Sequence, residues 1–191
     1  YQMNFDYSEE HQLLQASVAR CAQYTYSFDH RRVGADSQVG FSENHYTTFA
    51  ELGWLSVPFS EQFGGYGGSV VDVAAIMEEL GKALVVEPVF PNLVLFGGLL
   101  ERSNNNAVKA ELLPHVIDGR LMGAAALYEP PARFDVSTVL TSATESDGAY
   151  SINGHKAVVL GGAHAQQLIV VARTSGEQMD ELGLSLFLVD P

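Results

Sequence analysis

The feature that most constrains the fold is a change in hydrophobic periodicity near residue 120. Before that point, apolar residues recur at the spacing of an α-helix, and after it, short β-branched or apolar runs alternate with turns. The sequence therefore predicts an α+β fold with two domains. We expect an amino-terminal all-helical bundle domain over residues 3–119, followed by an incomplete antiparallel β-barrel or sandwich domain over residues 120–191.

In the first part, Val70–Leu80 is the helix whose start is best defined. Ser69 precedes it, and Asp72, three residues further on, completes the pattern of a capping pair. Further helices are expected over residues 8–24, 42–52, 91–101 and 106–117. The stripe of Val70–Leu80 that should face the core consists of Val70, Val73, Ala74, Met77 and Leu80.

In the second part, the dipeptides Asp147-Gly148 and Asn153-Gly154 both suit tight hairpins. Such turns need positive φ at their central positions, which these residue types tolerate. Six short strands are expected around them, over the runs LMGAAALY, VSTVLTSATES, AYSI, HKAVVL, LIVVART and LSLFLVD.

Composition and charge argue against several classes of function. The net charge is −13 with only ten Lys and Arg residues, so the clustered cations that nucleic-acid phosphates require are lacking. No apolar run is long enough to span a bilayer. The single cysteine, Cys21, cannot form an internal disulfide, and its helical spacing indicates a packing role rather than a nucleophile. Together with the lack of a secretory signal pattern, these features predict a cytoplasmic protein.

Two patterns that could suggest chemistry are better explained as structure. The glycine-rich stretch Phe63–Ser69 precedes a helix, and helix N-terminal amides favour phosphate groups. No strand precedes it, however, as both the P-loop and the dinucleotide fingerprint require, so a structural turn is predicted. The six histidines show no metal-ligand spacing, and His155 and His164 are expected at the surface.

A third pattern is the abrupt end of a predicted strand. The small apolar run Gly123–Ala126 leads into Leu127–Asp135, LYEPPARFD, which contains an aromatic hydroxyl, a carboxylate, two prolines and an arginine. The residues around this stop resemble a known family.

Three segments resemble the acyl-CoA dehydrogenases, in that family's order and spacing. FAELGWLSVPFSEQFGGYGGSVVDVAAIMEELGKAL (Phe49–Leu84) is similar to the amino-terminal helical domain. LLPHVIDGRLMGAAALYEP (Leu112–Pro130) is similar to the passage from the last helix of that domain into the first β strand, and it ends on the family's "EP" pair. YSINGHKAVVLGGAHAQQLIVVART (Tyr150–Thr174) is similar to a hairpin of the middle domain that carries a G-x-K run. The resemblance covers essentially the whole chain.

The resemblance implies an FAD-dependent oxidoreductase acting on acyl-CoA thioesters. In the family, the flavin ring lies at the mouth of the middle domain, a carboxylate base removes the α proton, and the β hydrogen leaves as hydride to the flavin. By correspondence, we expect cofactor contacts at Ala125, Leu127, Tyr128, Val158 and Leu160, and a substrate contact at Phe134.

Several residues depart from the family pattern at these contacts. Tyr128 stands where the family usually has Thr, Val158 where it has an indole, and Leu160 where it has a hydroxyl. Each lost hydrogen-bonding or stacking group would weaken flavin binding by about 1 kcal/mol or more. The resemblance also places the base on a carboxy-terminal helical domain that the sequence does not contain, so this chain alone is expected to be inactive.

Two functions therefore follow from the sequence. The first is an FAD-dependent acyl-CoA dehydrogenase of fatty-acid or lipid metabolism. The alternative is a flavin-poor, non-catalytic subunit of a heteromeric acyl-CoA dehydrogenase. Both predict a homo- or hetero-oligomer with acyl-CoA dehydrogenase subunits and acyl-CoA as the substrate.

Overall fold

The computed structural model describes residues 6–132 and 135–191, and the chain divides into two units between Arg120 and Leu121. The first unit is helical, with short 3₁₀ turns at Trp54–Ser56 and Glu61–Phe63. Its longer elements are α1 (Glu9–Tyr24), α2 (Phe28–Ala35), α3 (Glu43–Glu51), α4 (Val70–Lys82), a π-helix (Phe90–Gly97), α5 (Gly98–Arg102) and α6 (Asn106–Ile117).

Serine side chains define where the main helices begin. The Ser69 hydroxyl accepts hydrogen bonds from amides in the first turn of α4, and the Ser69 amide donates to the Asp72 carboxylate at 2.7 Å. This reciprocal capping box satisfies amides that have no partner inside the helix. The predicted Ser69–Asp72 pair is therefore confirmed, and the hydroxyls of Ser8 and Ser42 cap α1 and α3.

The predicted buried face of α4 is only partly right. Leu80 is buried, but Val70 is 80% exposed and Ala74 is exposed. The residues that are buried instead are Ala75 and Ile76. Apolar residues surround the first turns of α4, so periodicity alone does not select one face there. The packing of α4 against α1 makes the selection.

A buried polar pair lies in the core of the helical unit. The Asn92 side-chain amide in the π-helix donates to the Tyr46 hydroxyl in α3 at 2.8 Å. Burial raises the pKa of Tyr46 to about 12, so the hydroxyl stays protonated at any physiological pH. The largest fully buried apolar side chains of this unit are Phe49, Leu55, Phe59, Ile76, Leu93, Phe96 and Leu113.

The glycine-rich stretch Phe63–Ser69 is a structural turn, as predicted. The Gly65 amide donates to the Ser60 carbonyl oxygen at 3.0 Å, and the Gly67 amide donates to the Phe59 carbonyl oxygen at 2.7 Å. These amides are therefore not available to a phosphate group. A Cβ atom at Gly65 would lie 1.9 Å from the carbonyl oxygen of Phe59, so the turn accepts only glycine at that position.

Two glycine substitutions in this unit should have opposite effects on stability. Gly65→Ala should lower the free energy of unfolding by about 1–3 kcal/mol, because the methyl group has no space. Gly81→Ala, in α4, should raise it by about 0.5–1 kcal/mol, because nothing lies within 4 Å of its added Cβ. Urea denaturation followed by circular dichroism measures both. Equal effects of the two substitutions would contradict the tight turn.

The second unit is a five-stranded sheet with strand order β1-β4-β2-β3, in which β5 also pairs with β4. The chain in β1 runs parallel to β4, with Ala125 opposite Ile169. The pairs β2–β3 and β4–β5 are antiparallel hairpin partners. The strands are β1 (Gly123–Ala126), β2 (Ser142–Ser146), β3 (Ala149–Asn153), β4 (Gln167–Arg173) and β5 (Leu184–Val189).

The predicted fold class, a helical domain followed by an unclosed β domain, is confirmed over the described residues, with one correction to the sheet. The sheet is mixed rather than antiparallel throughout, because β1 and β4 are parallel. A long connection separates these two strands in sequence, and such a connection allows parallel pairing where a short turn does not.

The predicted strand HKAVVL is wrong, and so is the hairpin at Asn153-Gly154. The structure has no strand over residues 154–160, whereas the turn at Asp147-Gly148 joins β2 to β3 as expected. Gly154 is needed for a close approach rather than for a turn. A Cβ atom at this position would lie 2.3 Å from the Thr141 hydroxyl oxygen.

Within residues 6–132 and 135–191, no helix is long and apolar enough to cross a membrane. The same residues contain no group of three or more His, Cys, Asp or Glu side chains that could hold a metal ion. His155 is exposed and His164 is partly exposed, which agrees with the surface positions expected from the sequence.

Candidate cofactor-binding site

Glu129 and Lys156 form a buried ion pair beyond the end of β1. The Lys156 ammonium nitrogen lies 2.8 Å from Glu129 Oε1, and the two side chains are only 8% and 2% exposed. Lys156 also donates to the Leu127 carbonyl oxygen at 3.4 Å. The next amide, that of Ala157, donates to the Tyr128 carbonyl oxygen at 2.9 Å. These contacts join the end of the strand to the segment that starts at Lys156.

Two backbone amides complete the environment of the Glu129 carboxylate. The Leu140 amide donates to Oε2 at 2.7 Å, and the Thr141 amide donates to Oε1 at 2.9 Å. A buried carboxylate is stable only when its oxygens are paired and hydrogen-bonded, and both oxygens meet that condition here. Glu129 therefore joins three separate parts of the chain.

These contacts determine the ionisation of Glu129. Burial acts to raise the pKa of its carboxyl group. The hydrogen bonds from Lys156, Thr141 and Leu140 outweigh burial and lower the pKa from 4.5 to about 2. The carboxylate is consequently charged at any physiological pH.

Arg173, the last residue of β4, holds the segment that supplies those amides. Its own backbone amide donates to the Thr141 carbonyl oxygen at 2.8 Å, and Nε donates to the Val139 carbonyl oxygen at 3.2 Å. The guanidinium is buried. Its two terminal nitrogens donate to further carbonyl oxygens, those of Ser137, Ser175, Gln178, Asp180 and Leu182.

The structure brings some of the predicted site residues together. Leu127 and Tyr128, both partly buried, are joined through their carbonyl groups to the segment that carries Val158. Ala125 is buried inside the sheet, opposite Ile169. Leu160 is 46% exposed on the same segment as Val158, and Phe134 lies outside the described residues.

Val158 has an unusual backbone conformation for a β-branched residue. Its φ is 53°, in the left-handed region, and its side chain is 72% exposed. For such a residue this conformation costs roughly 1–3 kcal/mol. In the part of the chain that the structure describes, the amides of Val158, Val159 and Leu160 donate to no other group. The segment therefore offers three consecutive unpaired backbone donors.

Comparisons with known proteins identify the family of the chain. Residues 8–120 match the family model of the acyl-CoA dehydrogenase N-terminal domain. Residues 124–191 match that of the acyl-CoA dehydrogenase middle domain. The chain belongs to the acyl-CoA dehydrogenase family. The family predicted from the sequence is therefore confirmed.

Similar proteins extend well beyond the region that this chain matches. The acyl-CoA dehydrogenase FadE12 of Mycobacterium tuberculosis is 30% identical over 97% of this chain and 48% of its own length. A solved FAD complex of PigA superposes with a TM-score of 0.86 at 27% identity, over 99% of this chain and 50% of PigA. A variant of the Tcur3481-Tcur3483 steroid ACAD superposes with a TM-score of 0.81 at 28% identity, over 95% of this chain and 48% of its own chain. The chain spans about half the length of these relatives.

The donors of this chain fit a flavin through the backbone rather than through side chains. The pyrimidine edge of a flavin accepts hydrogen bonds at its carbonyl oxygens and at N1, and backbone amides suit these acceptors. The open amides of Val158, Val159 and Leu160 are such donors. The aliphatic side chains at 158 and 160 offer none.

Sequence reasoning identified Glu129 only as part of a motif and did not assign roles to Lys156 or Arg173. Lys156 and Arg173 each lie in or next to an apolar run, HKAVV and LIVVAR. A lysine or arginine in such a run is a signal of a buried, paired cation, because an unpaired charge would be too costly there.

The contribution of Glu129 to stability should depend on pH. Its pKa is lowered in the folded protein, so its charge stabilises the fold above about pH 4.5, and this contribution disappears as the pH falls toward 2. Glu129→Gln should lower the free energy of unfolding by about 3 kcal/mol at pH 7, with a smaller difference at pH 3. Denaturant titrations at both pH values test this. The exposed Glu181→Gln is the control, and a pH-independent effect of Glu129→Gln would contradict the assignment.

Proposed function

We propose that this chain forms the amino-terminal and middle parts of an FAD-dependent acyl-CoA dehydrogenase. The observation that carries the proposal is the Glu129–Lys156 ion pair, since it joins the end of β1 to the segment with open amides. Both belong to regions that match the family's middle domain. The proposed cofactor contacts are those predicted from the sequence, at Ala125, Leu127, Tyr128, Val158 and Leu160.

The proposed reaction removes two hydrogens from an acyl-CoA thioester to give the α,β-unsaturated thioester. A carboxylate base takes the α proton, and FAD supplies the hydride acceptor for the β hydrogen. The resemblance assigns the base to a carboxy-terminal domain, so this chain would bind and orient the reactants rather than move the proton. Phe134 is the proposed substrate contact in this chain.

A second candidate is a flavin-poor subunit that assembles with a catalytic acyl-CoA dehydrogenase. The exposed aliphatic side chains of Val158 and Leu160 favour it, because they lie where the family places an indole and a hydroxyl. The similar steroid ACAD, named by two components, Tcur3481 and Tcur3483, offers a precedent for a paired assembly. Cytoplasmic location stays a prediction in both cases.

Flavin content separates the two candidates. The full-length protein should be purified alone and together with any homologue encoded beside it, and its absorbance near 450 nm compared with protein concentration. The proposed dehydrogenase predicts about one FAD per chain in the protein purified alone. A flavin-free protein that gains flavin and activity only on co-expression would establish the subunit role instead.

Restoring the family's hydroxyl groups should strengthen flavin retention. The variant Tyr128→Thr with Leu160→Thr replaces a phenol by the family's shorter hydroxyl at one proposed cofactor contact and adds a hydroxyl at another, so the flavin Kd should fall by about tenfold. Fluorescence titration of the flavin-free protein measures the Kd. Leu186→Thr is the matched control, because Leu186 is 50% exposed on β5 and lies outside the site. An unchanged Kd would show that Tyr128 and Leu160 do not contact the flavin.

A further inference from the structure

Val158 has a strained backbone conformation, and burial of its side chain does not offset the strain. Its φ of 53° is unfavourable for a β-branched residue, yet its side chain is 72% exposed. Packing of the Val158 side chain therefore does not hold this conformation. A conformation of this kind persists only where the surrounding structure imposes it.

The two residues before Val158 are both held by contacts with the end of β1. Lys156 is fixed at both the Glu129 carboxylate and the Leu127 carbonyl oxygen. Ala157 is fixed through its amide to the Tyr128 carbonyl oxygen at 2.9 Å. The backbone before Val158 is therefore held in place, while the amides of Val158, Val159 and Leu160 have no hydrogen-bond partner among the described residues.

We propose that Glu129 and Lys156 are positioning residues for the flavin. Their ion pair holds the segment 156–160 against the end of β1, so that the amides of Val158, Val159 and Leu160 are kept free for one edge of the cofactor. This inference rests on the proposed function, because it names how this chain would hold FAD after losing the usual side-chain contacts.

A purely stabilising role does not explain the choice of an ion pair. Well-packed apolar residues commonly stabilise a buried position as well as an ion pair does, because removing two charges from water is costly. The hydrogen bonds of an ion pair are directional, whereas apolar packing is not. The Leu140 and Thr141 amides donate to the Glu129 carboxylate and orient it. The oriented carboxylate then accepts from Lys156 and fixes the lysine relative to the strand end.

The first test examines, in the absence of a cofactor, whether the ion pair holds the segment 156–160 in place. In the full-length protein, the Ala157 amide should be protected from hydrogen exchange, and Lys156→Met should speed its exchange by about tenfold or more. Protection of Ile169 and Ala172 in β4 should persist. Lys82→Met is the matched control, because Lys82 forms an exposed ion pair in α4. Unchanged protection of Ala157 in Lys156→Met would overturn the proposal.

The second test separates positioning from stability. Glu129→Gln, Lys156→Met and the double variant are titrated with FAD at a temperature where circular dichroism shows each to be folded. We expect the Kd of each to rise by about 10–100-fold, in line with other residues that orient a binding group indirectly. The double variant, which leaves no unpaired charge, should recover thermal stability but not FAD affinity. Recovery of both together would show a structural role only.

The outcomes distinguish this inference from the function on which it rests. A wild-type protein that binds no FAD overturns the proposed function and the positioning role together. A wild-type protein that binds FAD, with the same Kd in folded Lys156→Met, overturns the positioning role alone. The Lys82→Met control should leave the Kd unchanged in either case.

Discussion

The carboxylate of Glu129 is the interaction on which the candidate site depends. It receives the Lys156 ammonium group from one segment and two backbone amides, those of Leu140 and Thr141, from another. Glu129 itself follows β1, so one side chain fixes three parts of the chain relative to each other. Arg173 extends this arrangement to β4, because it binds the carbonyl groups of Val139 and Thr141. At and beyond the ends of the strands, the side chains of Glu129, Lys156 and Arg173 hold the chain segments together, as backbone pairing does within the sheet.

Local features of the structure could be predicted from the sequence because local residues determine them. The Ser69–Asp72 capping box lies within three residues, and the Asp147-Gly148 turn needs only its own dipeptide. The family and its order of domains could also be predicted, since long segments carry that pattern. The buried face of α4 could not, because apolar residues surround its first turns and the choice depends on α1.

The site itself depends on contacts between residues distant in sequence. Glu129 and Lys156 are separated by 27 positions, and no local pattern shows that they meet. Asn153-Gly154 has the composition of a hairpin, but its glycine is required for close approach to Thr141. The predicted strand over residues 155–160 was wrong because this segment, too, depends on contacts distant in sequence. Its backbone is fixed by Glu129 and Tyr128 across the unit rather than by pairing with a neighbouring strand.

Under the proposed positioning role, the replacements at Tyr128, Val158 and Leu160 would bear less on flavin binding than a comparison of side chains suggests. Side chains are the part of a binding site that sequence reveals, whereas backbone donors are the same at every residue except proline. Whether backbone donors serve a cofactor depends on how firmly the chain is held. In this protein the residues that hold it, Glu129 and Lys156, are buried and fully engaged, while the replaced positions Val158 and Leu160 are exposed. Intact holding residues beside altered side-chain contacts are the arrangement that the proposed positioning role predicts, because the backbone donors would then still have a ligand to position.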